Sequence, residues 1–192
     1  MRPLIRCALV VWCLIAALAG CAGSRVVKSD RTRIGDVYTV DPQIEWSRFH
    51  QGTIEIWTVD GPSLQAIYFF KGIEKDEPLI ATIGIGDGEK RPLLRPDMTP
   101  NDIMEFIIDS LARQGYMQIE TQALRPARFG RLQGFRFDFT FLFRDGLEGQ
   151  GLATGALYNE KLQLILYVGT HQHYYPKHLE DVERIIESIT IN

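Results

Sequence analysis

At 192 residues, with 45% hydrophobic and 23% charged side chains, the chain has the makeup of a globular protein, and its length suits one domain. A formal charge of −3 excludes the basic footprint that nucleic-acid binding requires. Of the three cysteines, Cys7 and Cys13 lie in an apolar amino-terminal run and Cys21 stands alone after it, so no disulfide framework is expected in the folded part.

Arg2 and Arg6 precede 13 uninterrupted apolar residues, 7–19. That pattern is the charged start and apolar middle of a signal peptide, and the run is too short for a membrane span of about 20 residues. Leu18-Ala19-Gly20-Cys21 then resembles the bacterial lipobox, with Leu at −3, small residues at −2 and −1, and Cys at +1. The resemblance implies that residues 1–20 are a signal peptide, that cleavage falls between Gly20 and Cys21, and that Cys21 carries a thioether-linked diacylglyceryl group and an N-acyl chain. Each buried methylene contributes about 0.8 kcal/mol, so several acyl chains would anchor the chain to a membrane essentially permanently. Ala22 stands where an Asp would signal retention in the inner membrane, which implies the periplasmic face of the outer membrane. In a Gram-positive organism the address would be the outer face of the plasma membrane. Without Arg2 and Arg6 the remaining chain has 19 basic against 24 acidic side chains, a charge of −5.

Residues 21–35, polar and carrying Arg25, Lys28, Arg31 and Arg33, read as a lipidated tether, and residues 36–192 as a single α+β domain. Within 53–59, Ile54 and Ile56 alternate with Glu55 and Trp57. Asp60-Gly61-Pro62-Ser63 supplies turn chemistry, and 64–71 continues as a second strand, so the segment predicts a β-hairpin. Residues 79–84 form a third short apolar run. Thr99, Pro100 and Asp102 make a capping box with proline at the first helical position. Ile103, Phe106, Ile107 and Leu111 follow on one helical face, up to Gly115.

A run of strands follows the helix. Residues 117–124 predict one. Residues 134–144 are the clearest: Phe135, Phe137, Phe139, Phe141 and Phe143 alternate with Arg136, Asp138, Thr140 and Leu142, which demands a thick core against one face. Residues 151–158 and 161–170 form a hairpin around Asn159-Glu160. The second arm is apolar at nearly every position, as in a central strand covered on both faces. Leu179, Val182, Ile185, Ile186 and Ile189 mark a closing helix over about 176–188.

This order predicts an α+β fold, an antiparallel sheet with helices packed on it. It resembles the Mog1/PsbP-like fold, an α/β/α sandwich. The capped helix, the meander with its Phe-rich strand, and the closing Val182-Glu183-Arg184-Ile185-Ile186-Glu187-Ser188-Ile189 carry the likeness. That resemblance implies a protein-binding accessory factor. Trp57-Thr58-Val59-Asp60-Gly61 and Arg95-Pro96-Asp97-Met98-Thr99-Pro100 also look like a group of proteobacterial lipoproteins that carry no assigned activity.

No Gly-x-Ser-x-Gly, His-Glu-x-x-His or paired β-lactamase-type motif is present, and nothing calls for a cofactor. Gly84-Ile85-Gly86-Asp87-Gly88 matches neither dinucleotide nor phosphate-loop spacing and reads as a plain loop. His171, His173 and His178, with Glu180 or Asp181, are the weak candidates for metal ligands. A polar loop entering a helix is the other reading, and no tight metal is expected. Arg125, Arg128 and Arg131, with Arg136, are a candidate interaction surface for acidic lipid, peptidoglycan or an acidic partner. Trp57, with Trp46, Tyr174 and Tyr175, belongs either to such a surface or to the core.

The leading functional expectation is a non-catalytic, lipid-anchored periplasmic binding or assembly module. Its partners would be the membrane, through the anchor, and a protein of the cell envelope. The alternative is a small-molecule or metal-binding lipoprotein using the carboxyl-terminal histidines.

Overall fold

The computed structural model describes residues 25–28, 30–80 and 91–192. The signal segment, the lipobox with Cys21, and Gly84–Gly88 lie outside the described residues. No helix of the described residues is long and apolar enough to cross a membrane.

The described chain forms β1 (Arg25–Val27), β2 (Thr32–Ile34), β3 (Tyr38–Val40), β4 (Trp46–Gln51), β5 (Ile54–Thr58), β6 (Gln65–Ile73), α1 (Pro100–Arg113), β7 (Met117–Phe129), β8 (Leu132–Leu142), β9 (Glu148–Tyr158), β10 (Lys161–Thr170), α2 (Tyr174–Glu187) and β11 (Thr190–Ile191). Eight strands make one sheet in the order β1-β4-β5-β6-β10-β9-β8-β7, and β11-β3-β2 make a second, small sheet. The described pairings are antiparallel. The architecture is therefore α+β with a dominant antiparallel sheet.

The large sheet has a core on each face. On one face Phe135, Phe137, Phe139 and Phe141 are buried with Ile103, Phe106, Ile107 and Leu111 of α1. Burying each Phe contributes about 1.5–3 kcal/mol, which makes this row the main anchor of α1. The expected capping box is present, with Thr99 and Asp102 bonded reciprocally. On the other face Trp46, Trp57, Phe69, Ile165 and Tyr167 pack against Tyr38 of the small sheet and Val182 and Ile185 of α2. The result is a three-layer arrangement, with α1 on one side and α2 plus the small sheet on the other. Strand β10 lies at the centre, between β6 and β9, as its continuous apolar run requires.

Two boundaries differ from the sequence expectation. Among the described residues, strands already lie inside the expected tether, before Asp36: β1 pairs with β4 and β2 with β3. Val27 and Ile34 are buried, but Val26, Val27 and Ile34 alone among the polar residues of 25–34 leave no period to read. Strand β7 runs on to Phe129, beyond the expected end at 124, through two register shifts on β8.

Candidate functional site

One wall of a groove is set by the start of α1. The backbone N–H of Thr99 donates to Asp102 Oδ2 at 2.7 Å, and Asp102 N–H donates back to Thr99 Oγ1 at 3.3 Å. The Thr99 hydroxyl also donates to Asp102 Oδ2, at 2.7 Å, and this bond, followed by the one from the Thr99 N–H, holds the Asp102 carboxyl below the usual range. These bonds fix the first turn so that Met98, Pro100 and Ile103 form the wall.

The opposite wall is β7. Between Gln122 and Arg125 this strand spends three residue steps where β8 spends two, from Asp138 to Arg136, so one residue is extra. Ala123 sits there at φ +54°, a conformation unfavourable for a residue with a Cβ. Arg125 Nη1 locks the bulge, donating to Ala123 O at 2.7 Å and Asp138 Oδ2 at 2.8 Å. Beyond it Leu124 and Pro126 face the groove.

The floor is Gly134 and Phe135 of β8 with Ala156 and Leu157 of β9. A Cβ on Gly134 would stand 2.1 Å from Gly155 O, so only glycine allows the strands to approach this closely. The groove encloses about 480 Å³. Its lining is apolar apart from Arg125 and Gln133, and Leu157 at the rim is 42% exposed. This is the form of a site for an apolar ligand or side chain with a few polar contacts to orient it. The lining holds no pair of acid and base suited to moving a proton.

Of the arginines singled out in the sequence, Arg125 lines the groove. Arg128 and Arg131 are exposed near its β7–β8 end, with no ion partner among the described residues. Arg136 is committed elsewhere: it grips both oxygens of Glu183 on α2 at 2.5 Å, which raises its own proton affinity.

Trp57 is not a surface residue. It is fully buried, its ring 4.7 Å from that of Phe69, and its Nε1 donates to Glu55 Oε1 at 2.8 Å. Trp46 and Tyr175 are buried as well, so three of the four aromatics belong to the core. Alternation alone put Glu55 and Trp57 on one side of β5, but that side is covered by the small sheet and α2.

The histidines do not converge. His178 is buried, with Nε2 2.8 Å from Asp60 Oδ2 and its ring 5.8 Å from that of Trp46. His171 Nδ1 lies 3.1 Å from Gln150 Oε1, and His173 packs edge-on against Tyr174. Among the described residues no group of three or more His, Cys, Asp or Glu side chains is placed to hold a metal ion.

The sequence reading missed a buried carboxylate. Glu55 is fully buried, with Arg48 Nη2 donating at 2.9 Å, Arg48 Nε 2.7 Å away, His50 at 3.5 Å and Lys71 at 3.7 Å. Burial, reinforced by the nearby Glu55 charge, pushes the Tyr38 hydroxyl well above its usual range. The available signal was the one acid of β5, flanked by strands that carry Arg48, His50 and Lys71.

No protein-family model matches the chain, and no curated protein matches it. Among solved structures it is similar to the solution structure of cyanobacterial PsbP from Synechocystis sp. PCC 6803, with a TM-score of 0.54. The chain has a PsbP-like fold. At 12% identity, over 90% of this chain and 96% of the other, the likeness is one of architecture. The PsbP-like sandwich puts α1 against the Phe row, and that contact positions the groove between α1 and β7.

Proposed function

We propose that the protein is a non-catalytic binding module, anchored through lipidated Cys21 at the periplasmic face of the outer membrane. Its groove receives an apolar segment of a protein partner. The groove carries this reading: about 480 Å³ lined by Met98, Ile103, Leu124, Pro126, Phe135 and Leu157, with Arg125 and Gln133 as its polar contacts. Exposed Arg128 and Arg131 near its end favour a partner with acidic residues beside the apolar segment. The lipobox and Ala22 support the address.

Two experiments test the two halves. Metabolic labelling with a palmitate analogue marks the wild type and not Cys21→Ser, which also stays uncleaved; equal labelling of both would refute the anchor. For the groove, Leu157→Asp and Met98→Asp, both at the rim, release the envelope partner that the wild type retains, while far-UV circular dichroism is unchanged. Retention by both variants would refute the groove.

A further inference from the structure

The distance from the anchor to the first strand restricts how the domain sits. If Cys21 is lipidated, as proposed above, only four Cα–Cα steps separate it from Arg25, the first residue of β1. Whatever their conformation, four steps span at most roughly 15 Å. β1 is an outer strand of the large sheet, and β9, β8 and β7 lie five to seven strand positions away from it. At about 4.8 Å per spacing, the groove strands stand roughly 24–34 Å from β1 across the sheet.

The β1 edge also carries positive charge. Arg25 lies directly opposite Arg48, a like-charge pair that costs stability in a sheet. The charge of Arg48 is met by Glu55; that of Arg25 has no ion partner among the described residues. Lys28, exposed just after β1, likewise has no ion partner among the described residues. Val26, between Arg25 and buried Val27, is 55% exposed. Cations next to an exposed apolar side chain, within about two Debye lengths of an anchor, suit a surface of anionic headgroups.

We infer that the β1 edge, through Arg25 and Lys28, docks on anionic lipid headgroups and stands the large sheet on the membrane with the groove held outward. The occupant is the membrane that holds the anchor, because the short connection keeps that surface within reach of this edge. The like-charge pair is relieved by lipid phosphates. The groove, at the far end of the sheet, is left open to the periplasm.

The test uses the mature, anchored protein reconstituted in phosphatidylcholine vesicles with and without phosphatidylglycerol. Once Cys21 is acylated, a cysteine introduced by Val26→Cys or Leu157→Cys is the sole site for a fluorophore, and headgroup nitroxide lipids serve as quencher. The mass of the protein reports acylation independently. The expected result is an acylated protein whose label at position 26 is quenched at least about threefold more than that at 157 when phosphatidylglycerol is present. Added salt, or Arg25→Glu with Lys28→Glu, reduces the difference. The salt series on the unaltered edge keeps the result independent of how the double variant folds. An acylated protein with equal quenching at both positions would overturn the inference and leave the anchor standing. So would quenching at 26 that ignores salt, charge reversal and phosphatidylglycerol, which would make the cations a guard against edge-to-edge pairing. An unacylated protein would overturn the anchor and the inference with it.

Discussion

Asp60 and His178 are 118 residues apart in the chain, yet Asp60 Oδ2 lies 2.8 Å from His178 Nε2. Lys177 Nζ donates to the same carboxylate at 2.8 and 3.0 Å. The contact clasps the β5–β6 turn to the first turns of α2, and it takes the one buried histidine out of any shared site with His171 and His173.

The clasp makes stability depend on pH. The hydrogen bond from Lys177, aided by His178, holds the Asp60 carboxyl below its usual range. A depressed carboxyl contributes stability above its unfolded pKa, near 4, and loses it as pH falls through the lower folded value. Asp60→Asn is expected to cost about 1–2 kcal/mol at pH 7 in urea unfolding, in keeping with a partly exposed charged hydrogen bond. The gap between wild type and variant narrows as the pH is lowered below about 4. An equal gap at both pH values would show that the carboxylate's charge is not what matters.

The Phe row rests on glycines of the next strand. Phe139 is paired with Gly151, and a Cβ there would stand 2.3 Å from the Phe139 ring; Phe141 is paired with Gly149 in the same way. Phe139→Ala should cost about 3–5 kcal/mol, and Thr140→Ala, facing the other way, well under half of that. Gly151→Ala should cost about 1–3 kcal/mol by overpacking. The double variant Gly151→Ala with Phe139→Leu should cost less than the sum of the two singles. Strict additivity in denaturant titrations would show that the ring and the glycine do not compete for the same space.

What the sequence revealed was periodic. β10 has the bounds read from its apolar run, and α1 follows from Thr99, Pro100 and Asp102. The glycines under the Phe row were not legible, because nothing local ties Gly149 or Gly151 to the rings they serve. The burial of Glu55 depends on Arg48 and Lys71 arriving from strands on either side of it, which pairing decides. The groove joins α1, β7, β8 and β9, and of its lining only Arg125 was read as an interaction residue beforehand, on other grounds. Strands β1 and β2 are three residues each, too short to show a period of two above the cations around them.

With His178 held by Asp60 and His171 beside Gln150, no tight metal binding is expected. The purified mature protein, dialysed without chelator, should carry far less than one zinc per chain by elemental analysis. Its melting temperature should not rise when zinc is added, since a ligand specific to the native state would raise it. Stoichiometric zinc that disappears in the His171→Ala, His173→Ala double variant would instead make the carboxyl-terminal histidines a metal site.

The groove is tested most directly by placing a photo-crosslinking amino acid at Leu157, on its rim, and another at Glu160, in the exposed β9–β10 turn, in otherwise unaltered cells. The expected result is a discrete protein adduct from position 157 that is absent from position 160 and is lost when Met98→Asp is added. An adduct of the same mass from both positions, or one indifferent to Met98→Asp, would contradict a partner seated in the groove.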